Sequence, residues 1–454
     1  MRSSRHPTRT TLLVLGLAVI GFAVQQTAVV PAIQDVERDL HASSEWAAWL
    51  VTVYLVVATV ATLAMGRLAD LHGRRRMLLL GMAVFAAGSV GAALAPNVIV
   101  LILFRAVQGV GGAVYPLTLS IARDRVPEEK ATAAIAVLTA GFGVGTAIGF
   151  LGGGLLAEFA SWRYVFVLGA VFVAVATALV RWQVPEGDGR AGGRFDLLGT
   201  VLLGSAAVAL LTALTLVVSL GWASPVVIVL LVGASMAALA WGQAERRVQN
   251  PLVDLHVLAD RRVAVANTAT VGLGWLLFSS YLLVPQLVRS DPGTAGYGLG
   301  GGSALVGYVL LPLAAGQTVA ALGAGLSLRR LGARRVYGTG LVVLAAASAL
   351  LAVDRTSILM TAIATALLGC GAGAALQAGS AVATEGVAAD VVAISASVNS
   401  TTRRLAGGLG GQVSTLVLAS MTTSGTPLAG AFTVSFALGG VLCLAGAVVL
   451  GLAG

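Results

Sequence analysis

Charge is what this 454-residue chain has least of. Only 10% of its residues are Asp, Glu, Lys or Arg, where a soluble domain carries about 25%. That shortfall, beside 57% hydrophobic residues, excludes an ordinary water-soluble fold. Lysine is nearly missing: Lys130 is the only one, and it follows Glu128-Glu129. A phosphate loop needs Gly-x4-Gly-Lys-Ser/Thr, so a built-in ATPase is excluded. The two cysteines, Cys370 and Cys443, both lie in apolar runs, which argues against a disulfide framework. The four histidines stand singly, and neither His-Glu-x2-His nor Gly-x-Ser-x-Gly occurs. No metal site, cofactor or enzymatic centre is expected.

What is present is a long series of apolar runs of about 20 residues, each sufficient to cross a bilayer. Fourteen are read, roughly at 10–33, 46–65, 77–95, 98–122, 132–157, 162–184, 196–220, 225–242, 263–288, 303–328, 336–353, 357–384, 391–420 and 428–452. The first is longer than a signal-peptide core and lacks a clear cleavage site, so it reads as a retained helix. The net charge of +9 is almost all arginine, gathered in short clusters between the runs. That placement argues against nucleic acid as a partner and for the lipid bilayer. With both termini in the cytoplasm, 21 basic residues fall in inside loops and four outside (Arg38, Arg163, Arg289 and Arg355), as the positive-inside rule requires.

Longer polar connections at 185–195 and 243–262 bracket spans 7 and 8. They divide the chain into 1–184 (six helices), 185–262 (an inserted pair with its flanking loops) and 263–454 (six helices). Ser327-Leu-Arg-Arg-Leu-Gly-Ala-Arg-Arg335 is a degraded echo of Gly66-Arg-Leu-Ala-Asp-Leu-His-Gly-Arg-Arg-Arg76, each following the second helix of its half.

The 66–76 loop, with Gly66, Asp70, Gly73 and Arg74 at their spacing, resembles the loop between helices 2 and 3 of major facilitator superfamily transporters. Leu103-Phe-Arg-Ala-Val-Gln-Gly-Val-Gly-Gly-Ala113 is similar to that superfamily's second motif. Gly145-x3-Gly149-Phe150-x2-Gly153-Gly154 is similar to the antiporter motif of its drug exporters, with Phe150 in place of the proline. Phe195-Asp-Leu-Leu-Gly199 and Ala396-Ser-Val-Asn-Ser-Thr-Thr-Arg-Arg-Leu-Ala-Gly-Gly408 resemble the fourteen-helix drug:proton antiporter branch. The implied fold is an all-α integral membrane protein of two six-helix bundles, each built of inverted repeats, plus an inserted pair.

The resemblance implies several roles. Asp70 and Arg74 would latch the cytoplasmic ends of the two halves, with Asp124 as partner of Arg74. Gly66 would permit close helix approach, Gly73 a turn at positive φ, and Asp70 would accept hydrogen bonds at a helix start or pair with a neighbouring arginine. Arg105 would take part in ion or proton coupling, or else satisfy carbonyls of a neighbouring helix. Gly141, Gly145, Gly149, Gly153 and Gly154 would let a partner helix approach closely.

One departure limits the proton-coupling expectation. The branch places an aspartate in helix 1 where this chain has Gln25, and none of the 19 acidic residues lies in the middle of a span. Glutamine does not titrate, and arginine holds its proton. Coupling would therefore use a rim carboxylate, Asp35 outside and Glu385 or Asp390 inside, or the carrier is uncoupled. With Arg105, and Arg403 as a further candidate, but no acid in the spans, the expected substrates are neutral or anionic amphipathic small molecules. Gln25, Gln26, Tyr54, Arg105, Gln108, Trp275, Tyr281, Gln286, Gln377 and Asn399 are the expected cavity residues, each with an alternative as helix–helix contact or interfacial belt. An exporter is expected, with an importer or lipid-type flippase as the rival. The carrier is expected to be monomeric and, from the Ala/Gly/Val/Arg bias, to lie in a bacterial cytoplasmic membrane.

Overall fold

Among the described residues, fourteen long helices carry the fold: Pro7–Thr27 (α1), Trp49–His72 (α2), Arg74–Ala93 (α3), Val98–Arg125 (α4), Glu128–Phe159 (α5), Trp162–Gln183 (α6), Leu197–Leu220 (α7), Pro225–Glu245 (α8), Arg261–Arg289 (α9), Ser303–Leu331 (α10), Ala333–Val353 (α11), Ile358–Thr384 (α12), Val392–Ser420 (α13) and Ala429–Leu452 (α14). The computed structural model describes residues 7–126, 128–186, 196–248, 261–384, 392–423 and 426–452. Thirteen of these helices are long and apolar enough to span a membrane; α13, which carries Arg403 and Arg404, falls short. The first apolar run, read as a span to residue 33, stops being helical at Thr27; a short helix, Ile33–Asp39, then lies along the arginine-poor end.

Helix packing sorts the chain into two bundles. In the first, α1 lies against α5 and α6, α3 against α4 and α6, and α2 against α4. In the second, α9 lies against α12, α13 and α14, α12 against α10 and α11, and α11 against α14. The bundles meet along two lines, α5 on α10 and α2 on α13; α7 rests on α13 and α2, and α8 on α7.

Small residues set how closely these helices approach. A Cβ on Gly145 would lie 2.6 Å from the Ile20 carbonyl oxygen, on Gly149 2.7 Å from that of Val24, and on Gly153 2.1 Å from that of Ala28. The glycine stripe of α5 is thus seated backbone-to-backbone on α1, as small-residue faces allow in lipid. At Gly141 the nearest atom is 3.6 Å away, so the contact opens there. Gly154 faces the other bundle, 2.3 Å from the Ser303 carbonyl oxygen by the same measure. Helix α4 is interrupted by a 3₁₀ turn, Val110–Ala113, where Gly109 and Gly112 meet Val57 and Ala58 of α2, and Gly111 meets Phe85 of α3.

A buried polar chain ties the inserted pair to both bundles. The Trp49 Nε1 of α2 donates to Thr215 Oγ1 of α7 at 2.7 Å, Thr215 donates to Gln412 Oε1 of α13 at 3.1 Å, and Gln412 Nε2 donates to Thr52 Oγ1 of α2 at 3.2 Å. Thr215 Oγ1 also reaches the Leu211 carbonyl of its own helix at 3.0 Å, so with no water in hydrocarbon to compete it is the Trp49 indole and the Gln412 amide that draw on these hydroxyls.

Substituting Gly149→Val forces its side chain into α1 backbone and is expected to destabilise by about 1–3 kcal/mol, the scale of core overpacking. Gly152→Ala, on the same helix but facing open space, leaves the midpoint of thermal unfolding of the purified protein unchanged. Equal midpoints for the two variants would contradict the α1–α5 seating.

Candidate functional site

At the arginine-rich end, Gly73 turns α2 into α3 at φ +101, a conformation that favours glycine. Arg74 forms an ion pair with Asp124 at the end of α4. Arg75 and Arg76 gather around Glu186 at 3.5 and 3.9 Å, and Arg125 Nη2 donates to the carbonyls of Pro185 and Glu186, both at 2.8 Å. Three expectations are corrected here. Asp70 lies in the last turn of α2, because that helix runs on to His72, so it is not at a helix start. Gly66 mediates no close approach among the described residues, where a Cβ on it would meet nothing within 4 Å. The Arg74–Asp124 pair joins α3 to α4 and so lies inside the first bundle rather than across the two halves.

Arg105 is 1% exposed and sits in the core of the first bundle. Its Nε donates to the Leu50 carbonyl and its Nη1 to Gln108 Oε1, both at 2.8 Å, and its guanidinium lies 4.6 Å from the Tyr54 ring centroid. Gln108 Nε2 donates to Ser89 Oγ at 2.7 Å, and Gln25 Nε2 approaches the same oxygen at 3.5 Å. Carbonyl and amide dipoles with an aromatic face therefore stand in for a counter-ion. Among the described residues, the Gln25 side-chain oxygen and the Tyr54 hydroxyl are buried without a hydrogen-bond partner.

At the arginine-poor end the two bundles are joined electrostatically. Arg289, at the end of α9, has Nη1 3.0 Å from both carboxylate oxygens of Asp35 and 2.6 Å from Ser303 Oγ. Ser303 in turn donates to Asp35, which is also paired with Arg38. Beside this cluster, Glu158 at the end of α5 accepts from the Ala304 amide at 2.7 Å, a carboxylate placed on the positive end of α10. Glu37 occupies a narrow cleft with Gln34, Ser44, Gln286 and Thr415. Burial there raises it from 4.5 to about 7, against the lowering effects of the Ser44 hydroxyl and of Arg289, while Glu45 adds to the rise. Asp39, by contrast, is held below its usual value by the hydrogen bonds of Arg163 and Trp162.

Between the bundles lies a cavity of about 350 Å³. Phe22, Gln26 and Thr27 of α1, Tyr115 and Leu119 of α4, and Ile135, Thr139, Phe142, Gly143 and Thr146 of α5 form one wall. Leu277, Phe278 and Tyr281 of α9, Gln317, Thr318 and Ala321 of α10, Leu376, Gln377 and Ser380 of α12, and Arg403 and Arg404 of α13 form the other. Toward the arginine-poor end, Phe150 and Tyr281 meet edge-on across the bundles at 5.6 Å. The phenylalanine that replaces the motif's proline thus fills the interface above the cavity.

Of the ten side chains expected in the cavity, the structure brings Gln26, Tyr281 and Gln377 to it. Gln25, Tyr54, Arg105 and Gln108 do not line it: they are the buried cluster of the first bundle. Neighbouring helical residues point about 100° apart, so only one of Gln25 and Gln26 faces the opening. Trp275 also lies outside it, packed on Gly410 of α13. Asn399 fastens α13 to Asn267 and to the Ala266 carbonyl of α9 at 3.2 and 3.4 Å. Gln286 lies beyond the cavity in the Glu37 cleft. Glu385 and Asp390 lie outside the described residues. Sequence reasoning missed Phe22, Tyr115, Phe142, Gln317 and Arg404, although the unbalanced Arg403-Arg404 pair was a usable signal. It also missed Glu37, which sits two residues from Asp35.

Removing the carboxylates that hold α10 loosens this end. Asp35→Asn and Glu158→Gln are each expected to speed hydrogen–deuterium exchange in peptides covering 296–306 several-fold, while peptides of α6 stay unchanged. Unaltered exchange in 296–306 would show that the bundles close there without these groups.

The sequence profile of the Major Facilitator Superfamily matches residues 15–311. Similar proteins include Multidrug resistance protein Stp of Mycobacterium tuberculosis, strain CDC 1551 / Oshkosh (30% identical over 336 residues, 74% of this chain and 61% of that protein). The Puromycin resistance protein pur8 of Streptomyces alboniger is 34% identical over 316 residues (66% and 62%), and the Lincomycin resistance protein of Streptomyces lincolnensis 32% over 284 (62% and 58%). The chain thus spans less than two thirds of the length of each of these relatives. A solved structure of the nucleoside transporter NupG superposes with a TM-score of 0.67 at 16% identity, covering 97% of this chain and 98% of that one; at that identity the likeness concerns the fold. Two helical bundles enclosing a shared cavity, and a profile that matches well over half the chain, agree: this multi-pass membrane protein belongs to the Major Facilitator Superfamily.

Proposed function

We propose that the protein is a secondary transporter that exports amphipathic small molecules, drugs or secondary metabolites of neutral or anionic character, by alternating access. The observation that carries this reading is the cavity shared by both bundles, lying toward the arginine-rich end, with the Asp35–Arg289–Ser303 seam drawn together at the other. With the arginine-rich end in the cytoplasm, as the positive-inside rule places it, the cavity faces the compartment from which an exporter loads. The names of the relatives, resistance proteins for several drugs, for puromycin and for lincomycin, support export. The aromatic and amide lining suits an amphipathic cargo.

Energy is assigned to proton exchange through the outer rim. Asp35 is held by Arg289 and Arg38, whereas Glu37 sits in the interbundle cleft with its ionised form disfavoured. The groups facing Glu37 are Asp35, Arg38 and Asp39 of its own helix, Ser44 and Glu45 of the next, Gln286 and Arg289 of α9, and Thr415 of α13. Glu37 favours the closed cleft when neutral. With about 7 in the closed cleft and the usual 4.5 in water, closure is aided as pH falls from about 7 toward 4.5, and the aid is lost as pH rises through 7.

Two measurements test the proposal. In sealed proteoliposomes, substrate flux is expected to rise several-fold with an imposed pH gradient; equal flux with and without it would retire proton exchange. Spin labels at Ser43 and Thr294 are expected to report a growing short-distance population as pH drops from 8 to 5. Glu37→Gln is expected to show that population at every pH; a pH response that survives in Glu37→Gln would remove this residue from the account.

A further inference from the structure

We infer that the cavity binds the head group of an organic anion, a carboxylate, sulfonate or phosphate, on Arg403 and Arg404, with an aromatic body laid against Phe22, Phe142 and Tyr115. This narrows the proposed transport reading and rests on it for the cavity's role as a binding site. Two adjacent guanidiniums of one membrane helix border the cavity, and among the described residues no carboxylate lines it. Their surroundings differ. Arg404 Nη1 is used by the other bundle, donating to the Ala58 carbonyl at 3.0 Å and to Thr62 Oγ1 at 2.7 Å of α2. Arg403 has a single hydrogen bond among the described residues, Nη2 to Ser400 Oγ of its own helix at 3.2 Å.

A guanidinium carries five N–H donors, and a cation in a low-dielectric setting is costly unless an opposite charge or strong acceptors meet it. Arg105 solves this with the Leu50 carbonyl, Gln108 and the Tyr54 ring. Arg403 has no comparable set, so its charge is left for whatever occupies the cavity. Planar oxyanions match the guanidinium fork. Facing the arginines, the Phe22 and Phe142 rings lie 6.3 Å apart and those of Tyr115 and Phe142 5.0 Å apart, an aromatic surface for a ring system.

The test is equilibrium binding to the purified full-length protein in lipid nanodiscs, so its outcome does not depend on transport direction or coupling. Three probes share one ring system: naphthalene-1-sulfonate, the neutral naphthalene-1-sulfonamide and the cation 1-naphthylmethylammonium. The sulfonate is expected to bind at least about tenfold tighter than the other two, the scale of a charge-assisted contact. Arg403→Gln is expected to reduce that preference to within about twofold while the neutral probe still binds, and Arg403→Lys to restore part of it. Retained binding of the neutral probe separates lost recognition from lost folding. Equal or tighter binding of the cation, a sulfonate preference that survives Arg403→Gln, or no saturable binding of any probe would each overturn the site. If the sulfonate binds as described but proteoliposomes move none of it, the export reading fails and the anion site stands.

Discussion

A charge that has left water for hydrocarbon must be met by something, and this chain carries three arginines, Arg105, Arg403 and Arg404, away from the ends of its apolar runs, with no carboxylate at the centre of any run. Where each one finds its partners organises the molecule. Arg105 draws α2 and α4 together inside the first bundle, using the Leu50 carbonyl and the Tyr54 ring. Arg404 reaches across to α2 and so helps to hold the second bundle against the first. Arg403 borders the space between the bundles. Two acids perform the complementary task at the arginine-poor end, where Asp35 and Glu158 hold the start of α10.

Much of this was legible beforehand, because it rests on rules that act locally. Fourteen long helices follow from run length, thirteen of them apolar enough to cross a membrane, and close helix contact follows from glycines at four-residue spacing, which seat α5 on α1 at Gly145, Gly149 and Gly153. The positive φ at Gly73 follows from a two-helix turn that must be tight. Those features need no knowledge of what lies across the membrane. Even here context intervened. Gly141, in the same series, faces a looser contact, and Gly66 faces open space.

The cavity was harder to read because lining is a property of helix rotation. Gln25 and Gln26 are indistinguishable by composition, yet one is sealed beside Ser89 and the other faces the opening. Arg105 is the more conspicuous arginine in the sequence, but Gly109, Gly111 and Gly112 let α2 and α3 close over its helix, so it is enclosed by its own bundle. Phe150, where the antiporter-like motif has proline, likewise shows its role only in three dimensions, where it meets Tyr281 of the opposite bundle. Glu37 was invisible for a related reason: its cleft is completed by residues of α9 and α13, which lie in the other half of the sequence.

Alternating access, as proposed, requires that the space between the bundles be reached from one side of the membrane at a time. The direct measurement is alkylation of Thr318→Cys, on the cavity wall contributed by α10, by a membrane-impermeant maleimide in sealed vesicles of known orientation. Labelling is predicted from the arginine-rich side in the unaltered background, with access from the opposite side appearing when Arg289→Gln breaks the seam. Equal labelling from both sides in the unaltered background, or labelling from neither side in either background, would contradict the claim.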